Sequence, residues 1–204
     1  TGLAAVAWWR AWRGLDTSLD DRLIARLATL SALVYVFGLV MLPIVGGTSG
    51  HLTGVALLAL LFGVRLAFLA YSVVLVLQLF VFGAGGLTAL PVNALAIGAA
   101  GALTASLVRQ VFKHRHEGLA VMLATWCSVM VSATLVGLVL GAQPLLAHTA
   151  KGQPLFFPFG WRVVMPALLV PHAVLAVGEA FVTWSVWRYA RSRRWALPSG
   201  AGTA

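Results

Sequence analysis

The run RLAFLAYSVVLVLQLFVF, residues 65–82, decides what solvent this chain is built for. Beyond Arg65 at its first position it holds no charged side chain. A helix of about 20 mostly apolar residues is long enough to cross the hydrocarbon core of a bilayer. Working outward, apolar segments recur on both sides: residues 1–12, 23–42 and 51–63 before it, and 87–108, 118–141 and 162–189 after it. The segment 1–12 is too short to span and reads as the second half of a helix. It ends in Trp8, Trp9 and Trp12 beside Arg10 and Arg13, the aromatic and basic belt of a membrane surface. Pro43 stops the segment 23–42, and Pro166 and Pro171 are expected to bend the last one.

The whole chain carries the same signature. Of its 204 residues 61% are hydrophobic and 9% charged, with a mean hydropathy of +0.96. A soluble domain carries about 25% charged residues to cover its surface, so a soluble fold is excluded. The expected architecture is an all-α integral membrane protein. It is a bundle of about seven transmembrane helices, the first one truncated, forming a single domain over 1–190. A basic, disordered cytoplasmic tail is expected over 191–204.

The net charge of +9 is confined to the ends of apolar runs. Arg10, Arg13, Arg22 and Arg26 cluster at the first break, Arg109, Lys113 and Arg115 at a later one, and Arg188, Arg191, Arg193 and Arg194 close the chain. That placement is the positive-inside pattern rather than a nucleic-acid groove. With alternate loops assigned to opposite faces, only Lys151 and Arg162 fall on the second face. The C-terminus is therefore expected in the cytoplasm and the N-terminus outside. The outer face then carries the unusual loops: Gly46 to Gly50, Gly83 to Gly86, and the stretch 143–160 containing His148, Pro154 and Pro158. Glycine-rich backbone at the mouth of a bundle permits close approach to a small ligand, so entry from outside is expected.

Few residues here can carry chemistry. His51 follows Gly46-Gly47-Thr48-Ser49-Gly50 at what reads as a helix start, and a neutral imidazole is a good ligand for late transition metals. Thr48 and Ser49 would cap that helix or orient the ring; the bland alternative makes His51 itself a cap. His172 and Glu179 lie seven residues apart, two turns along one helical face. They form a candidate intramembrane polar pair, with either a functional or an interhelical locking role. Gln78 and Asn93 are candidates for interhelical hydrogen bonds. Ala7 and Ala11 make a small-xxx-small pair, and His114 and His116 sit in a solvated basic loop. Cys127, the single cysteine, makes neither a disulfide nor a thiolate metal site. No Walker motif, nucleophile elbow or His-Glu-x-x-His is present, so ATP-driven transport needs a partner.

At His51 a family resemblance emerges. The run Pro43-Ile44-Val45-Gly46-Gly47-Thr48-Ser49-Gly50-His51-Leu52-Thr53-Gly54 resembles the signature of the CbiM/NikM family. These are the substrate-capture membrane subunits of energy-coupling-factor transporters for cobalt and nickel. Gln78, Gly85-Gly86-Leu87-Thr88-Ala89-Leu90 and Asn93 look like its next stretch, and Leu175-Ala176-Val177-Gly178-Glu179-Ala180 is similar to its closing helix.

The resemblance implies a multi-pass subunit in the cytoplasmic membrane of a prokaryote, transporting Co(II) or Ni(II) with no permanently bound cofactor. Its implied partners are a membrane coupling (T) subunit and cytoplasmic ATPase subunits. Metal would be held by His51, supported by Thr48, Ser49, Gly50, Gly85, Gly86 and Asn93. It would be completed by a Met-His N-terminus whose nitrogens give a near-planar site suited to Ni(II) and Co(II). Because Thr1 falls mid-helix, that start is expected upstream of it. The chain departs from the family pattern at Ala84, Pro91, Ala96 and Ala180. Those departures keep open a divergent, non-metal-binding assembly or scaffold subunit of the same fold. A third class, an intramembrane enzyme, would need His51, His172 and Glu179 together.

Overall fold

The computed structural model describes residues 1–13, 15, 20–44, 48–83, 86–112 and 116–193. These residues form a helical bundle with one short hairpin. In chain order the helices are α1 (Gly2–Arg13), α2 (Asp21–Phe37), α3 (Val55–Phe62), α4 (Val64–Phe82), α5 (Gly86–Val111), α6 (Glu117–Leu146) and α7 (Trp161–Ser192). Strands β1 (Leu42–Ile44) and β2 (Thr48–Gly50) lie between α2 and α3 and pair antiparallel, with Pro43 opposite Ser49. Helices α4 to α7 are each long and apolar enough to cross a membrane. Side chains such as Phe80 and Val174 are more than two-thirds exposed on this bundle, the pattern of a surface that faces lipid.

The core is organised around α3. Its sequence, Val55 to Phe62, is apolar on every side, and a helix apolar all round has to be buried. All of it except Leu60 is indeed buried, packed by α2, α4, α5, α6 and α7. Gly63, at φ 84°, breaks the chain between α3 and α4, and its N–H bonds to Ala59 O at 2.9 Å. Interhelical contacts use small residues, as expected where lipid offers no hydrophobic drive for helix association. Ser128 Oγ on α6 donates to Gly101 O on α5 at 2.8 Å, and a Cβ at Gly101 would lie 2.6 Å from Ser132 Oγ. On α1, Ala4 and Ala11 are buried, and Trp8 donates to Ser72 Oγ on α4 at 2.9 Å.

Several expectations change in detail. The segment ending at Pro43 forms a helix only to Phe37. Gly38 caps it and lies against Gln78, whose amide nitrogen would collide with any Cβ there. The glycine-rich stretch contributes Thr48–Gly50 to the β1–β2 pairing, and its residues 45–47 lie outside the described residues. Helix α5 is continuous over Pro91 but winds as a π-helix over Ala94–Ala99. Helix α7 runs through Pro166 and Pro171 to Ser192, past the expected start of the tail. Residues 194–204 and the expected loop residues Lys113, His114 and Arg115 lie outside the described residues.

Candidate metal-binding cavity

The hairpin, the loop 51–54 and helices α4 to α7 enclose a cavity of about 280 Å³. Its apolar wall comes from Leu75, Ile97, Val129, Val136, Leu140 and Leu168, among others. Against that wall stand a small number of donors. His51, Ser49 and Thr53 come from the hairpin and loop, Gln78 from α4, Asn93 from α5, Ser132 from α6 and His172 from α7. Met41 adds a thioether. Among the described residues the lining contains neither a carboxylate nor a Lys or Arg side chain.

Both imidazoles are half-buried and held by backbone carbonyls. His51 Nδ1 lies 3.1 Å from Leu52 O, and His172 Nδ1 lies 2.8 Å from Leu168 O, one helical turn back on α7. A carbonyl oxygen can only accept, so each Nδ1 is the protonated nitrogen. In the neutral ring this leaves the lone pair on Nε2, the arrangement in which a metal-ligating histidine is usually fixed. Neither Nε2 has a hydrogen-bond partner among the described residues.

The loop carrying His51 is anchored by Glu179, which is 1% exposed. Its carboxylate accepts three hydrogen bonds, each 2.8 Å long: Thr53 N–H to Oε2, Thr53 Oγ–H to Oε1 and Gly54 N–H to Oε1. The first N–H groups of a helix have no intrahelical acceptor and carry partial positive charge. Glu179 supplies both the acceptor and the counter-charge at the start of α3. Gly54 takes the left-handed conformation there (φ 67°) and packs against Val34.

This geometry revises three expectations. His51 does not begin a helix, because α3 starts at Val55, after the turn that Glu179 holds. The N-cap is Gly54, so Ser49 and the backbone of Thr48 belong to β2 instead. His172 and Glu179 do not bond to each other: His172 bonds within α7 and lines the cavity, whereas Glu179 lies behind it on the loop. A three-residue site of His51, His172 and Glu179 is therefore not assembled. Among the described residues no group of three or more His, Cys, Asp or Glu is placed to hold a metal.

Of the other candidates, Asn93 and Ser49 line the cavity. Gly50 is buried opposite Leu42 in the hairpin. Gly86 opens α5 at φ 72° with nothing near its Cβ position, so conformation rather than crowding favours glycine. Gly85 and Ala84 lie outside the described residues. His116 precedes α6, and His148 is exposed in a bridge with Pro154, both away from the cavity lining. Thr53, Met41 and Ser132 were not picked out by sequence reasoning. Thr53 carried the only usable signal, a polar residue beside His51 in a chain with one acid buried among apolar helices.

Fold and cavity together define a helical membrane protein presenting neutral nitrogen, oxygen and sulfur donors to a small ligand. The family described as "Cobalt uptake substrate-specific transmembrane region" (CbiM) matches residues 1–197, and the chain belongs to that family. It is 39% identical over 150 residues to a probable fused nickel transport protein LarMN of Lactiplantibacillus plantarum, covering 73% of this chain and 45% of that protein. It is 32% identical over 181 residues to the fused nickel transport protein NikMN of Rhodobacter capsulatus, covering 86% and 52% respectively. The chain thus spans about half the length of these two relatives. A solved structure described as a truncated transition metal transporter superposes with a TM-score of 0.89 at 28% identity, covering 94% of this chain and 91% of that one.

Proposed function

We propose that this chain is the substrate-capture subunit of an energy-coupling-factor transporter that imports Co(II) or Ni(II). In this reading it lies in the cytoplasmic membrane of a prokaryote with its C-terminus inside. It works without catalysis of its own, beside a membrane coupling subunit and cytoplasmic ATPases. The observation that carries the reading is His51. Its Nδ1 is tied to Leu52 O, and its ring lines a cavity with no carboxylate among the described lining residues. Imidazole nitrogen in an uncharged, half-apolar pocket favours cobalt and nickel over magnesium and calcium, which need several oxygen ligands. Family membership and the names of the relatives support the same substrate class. Ser49 and Asn93 shape the pocket, Gly50 supports the hairpin beside it, and Gly86 the start of α5.

The test is uptake of radiolabelled Co(II) and Ni(II) by cells carrying the complete transporter, comparing native chain with His51→Ala at matched membrane abundance. Uptake is expected to fall to background; unchanged uptake would sink the proposal. A second reading, a non-metal-binding assembly subunit, is favoured by the lack of a three-residue ligand group among the described residues. It requires that the native protein fail to bind either ion.

A further inference from the structure

We infer that the clustered ends of α5, α6 and α7 bind the phosphate of an anionic phospholipid, through Arg109, Arg191 and Trp187. Arg109 lies in the last turn of α5, Glu117 opens α6, and Arg191 lies in the last turn of α7. Each of these helices is long and apolar enough to cross a membrane, so their shared end faces the headgroup layer. The two arginines converge there. Both pair with the Glu117 carboxylate, Arg191 by a hydrogen bond and Arg109 at 3.7 Å. Both guanidinium carbons also lie over the Trp187 ring, each 5.1 Å from its centroid. Trp184 stacks on that ring with centroids 5.6 Å apart, which holds the platform in place.

Protein groups do not complete this cluster. Two guanidiniums against one carboxylate leave a charge of +1. Each guanidinium has five N–H donors, yet among the described residues the pair makes one hydrogen bond, from Arg191 to Glu117. The buried Nε of Arg109 and the indole nitrogen of Trp187, a residue 1% exposed, have no acceptor. The N-terminus of α6 adds partial positive charge and receives no side-chain cap. The missing partner is a group with several acceptor oxygens and a single negative charge. A phosphodiester is such a group, and guanidinium matches its geometry with paired hydrogen bonds. A cluster that only locked three helices together would be charge-balanced and shielded. Here the side chains of Arg109, Glu117 and Arg191 are 31%, 43% and 53% exposed, so a lipid headgroup can reach the arginines and compete with Glu117 for them. Basic pockets between membrane helices recognise anionic headgroups in this way.

The test is native mass spectrometry of the full-length protein in detergent, titrated with phosphatidylglycerol or with phosphatidylcholine, whose phosphate is neutralised by its own choline. Phosphatidylglycerol is expected to bind about 10-fold more tightly or better, the scale of one hydrogen bond to a charged group. Arg109→Gln and Arg191→Gln should each lose about 10-fold in that affinity. Glu117→Gln removes the competing carboxylate and should gain about two- to fivefold, the worth of an exposed ion pair. Arg188→Gln is the charge-matched control, because Arg188 is exposed on the same end of α7 and lies outside the Arg109–Glu117–Arg191 cluster. It should lose about fivefold or less, the scale of diffuse attraction to an anionic surface. Equal losses in Arg188→Gln and the two cluster variants would overturn the inference, as would equal affinity for the two lipids. Displacement of bound phosphatidylglycerol by millimolar inorganic phosphate would overturn the lipid as the source of the anion. Thermal unfolding is measured for every variant. If an arginine variant fails to fold, Glu117→Gln decides, because unchanged or weakened binding of phosphatidylglycerol there overturns the inference.

Discussion

Replacing Glu179 with alanine should both destabilise the fold and weaken metal capture, and the size of the first effect follows from the contacts. The substitution leaves two backbone N–H groups and one hydroxyl without an acceptor, at the buried residues Thr53 and Gly54. A buried donor left unsatisfied costs about 1–3 kcal/mol. The Thr53 hydroxyl can rotate toward another acceptor, so the two backbone groups set the scale, at roughly 2–6 kcal/mol. For a chain of this size that lowers the unfolding temperature by an amount on the order of 10 °C. Glu179→Gln preserves shape and one acceptor oxygen but turns an –NH₂ toward donors, so about 1–3 kcal/mol is expected. The functional effect follows because His51 stands two residues before Thr53, and freeing that turn releases the ring. The assay is thermal unfolding of the full-length protein in detergent, paired with Co(II) titration. Native stability and affinity in Glu179→Ala would refute the assignment of Glu179 as the anchor of this loop.

Gly54→Ala puts a Cβ at φ 67° and against Val34, so it should cost about 1–2 kcal/mol from conformation alone, plus the clash. Val34→Ala should restore part of that loss in a double mutant. Gly101→Ala, whose Cβ would meet Ser132 Oγ at 2.6 Å and Val55 at 3.1 Å, should destabilise the α5–α6 contact by about 1–3 kcal/mol in the same unfolding assay. Glu117 pairs with Arg191 and, at 3.7 Å, with Arg109, but all three side chains are about a third exposed or more. Glu117→Gln should therefore change stability by less than about 1 kcal/mol; a larger loss would show that this cluster is structural.

The helices were legible wherever membrane burial alone dictates them. Residues 65–82 and 118–141 needed only length and hydropathy, and α4 and α6 contain them. What local pattern could not give is where a helix stops for tertiary reasons. The apolar run through Leu42 continues past Phe37, yet Gly38 must lie flat against the Gln78 side chain, and the chain then leaves the helix for a hairpin. In the same way His51 looked like a helix start because the glycine-rich run precedes it. The acceptor that determines the true start, Glu179, lies more than a hundred residues away. His172 and Glu179 were legible as intramembrane polar groups, but their partners were not. A seven-residue spacing says which face they share and nothing about what stands opposite.

The position of Glu179, a carboxylate buried among the helices, has a physical reason that links fold to site. In lipid, irregular backbone persists only where protein or a cavity supplies its hydrogen bonds. The described residues between Gly38 and Gly54 leave the helix, and they bring Met41, Ser49 and His51 to the cavity. Pairing between β1 and β2 satisfies part of that backbone. The N–H groups of Thr53 and Gly54, at the return to helix, are satisfied from outside the stretch by Glu179. An uncharged acceptor would bond those groups but would not oppose the positive end of α3. The acid is thus explained by the non-helical segment, and that segment by the donors it carries to the cavity. Substitutions that restore helix between Gly38 and Gly54 would remove the need for Glu179 and remove the cavity's ligands with it.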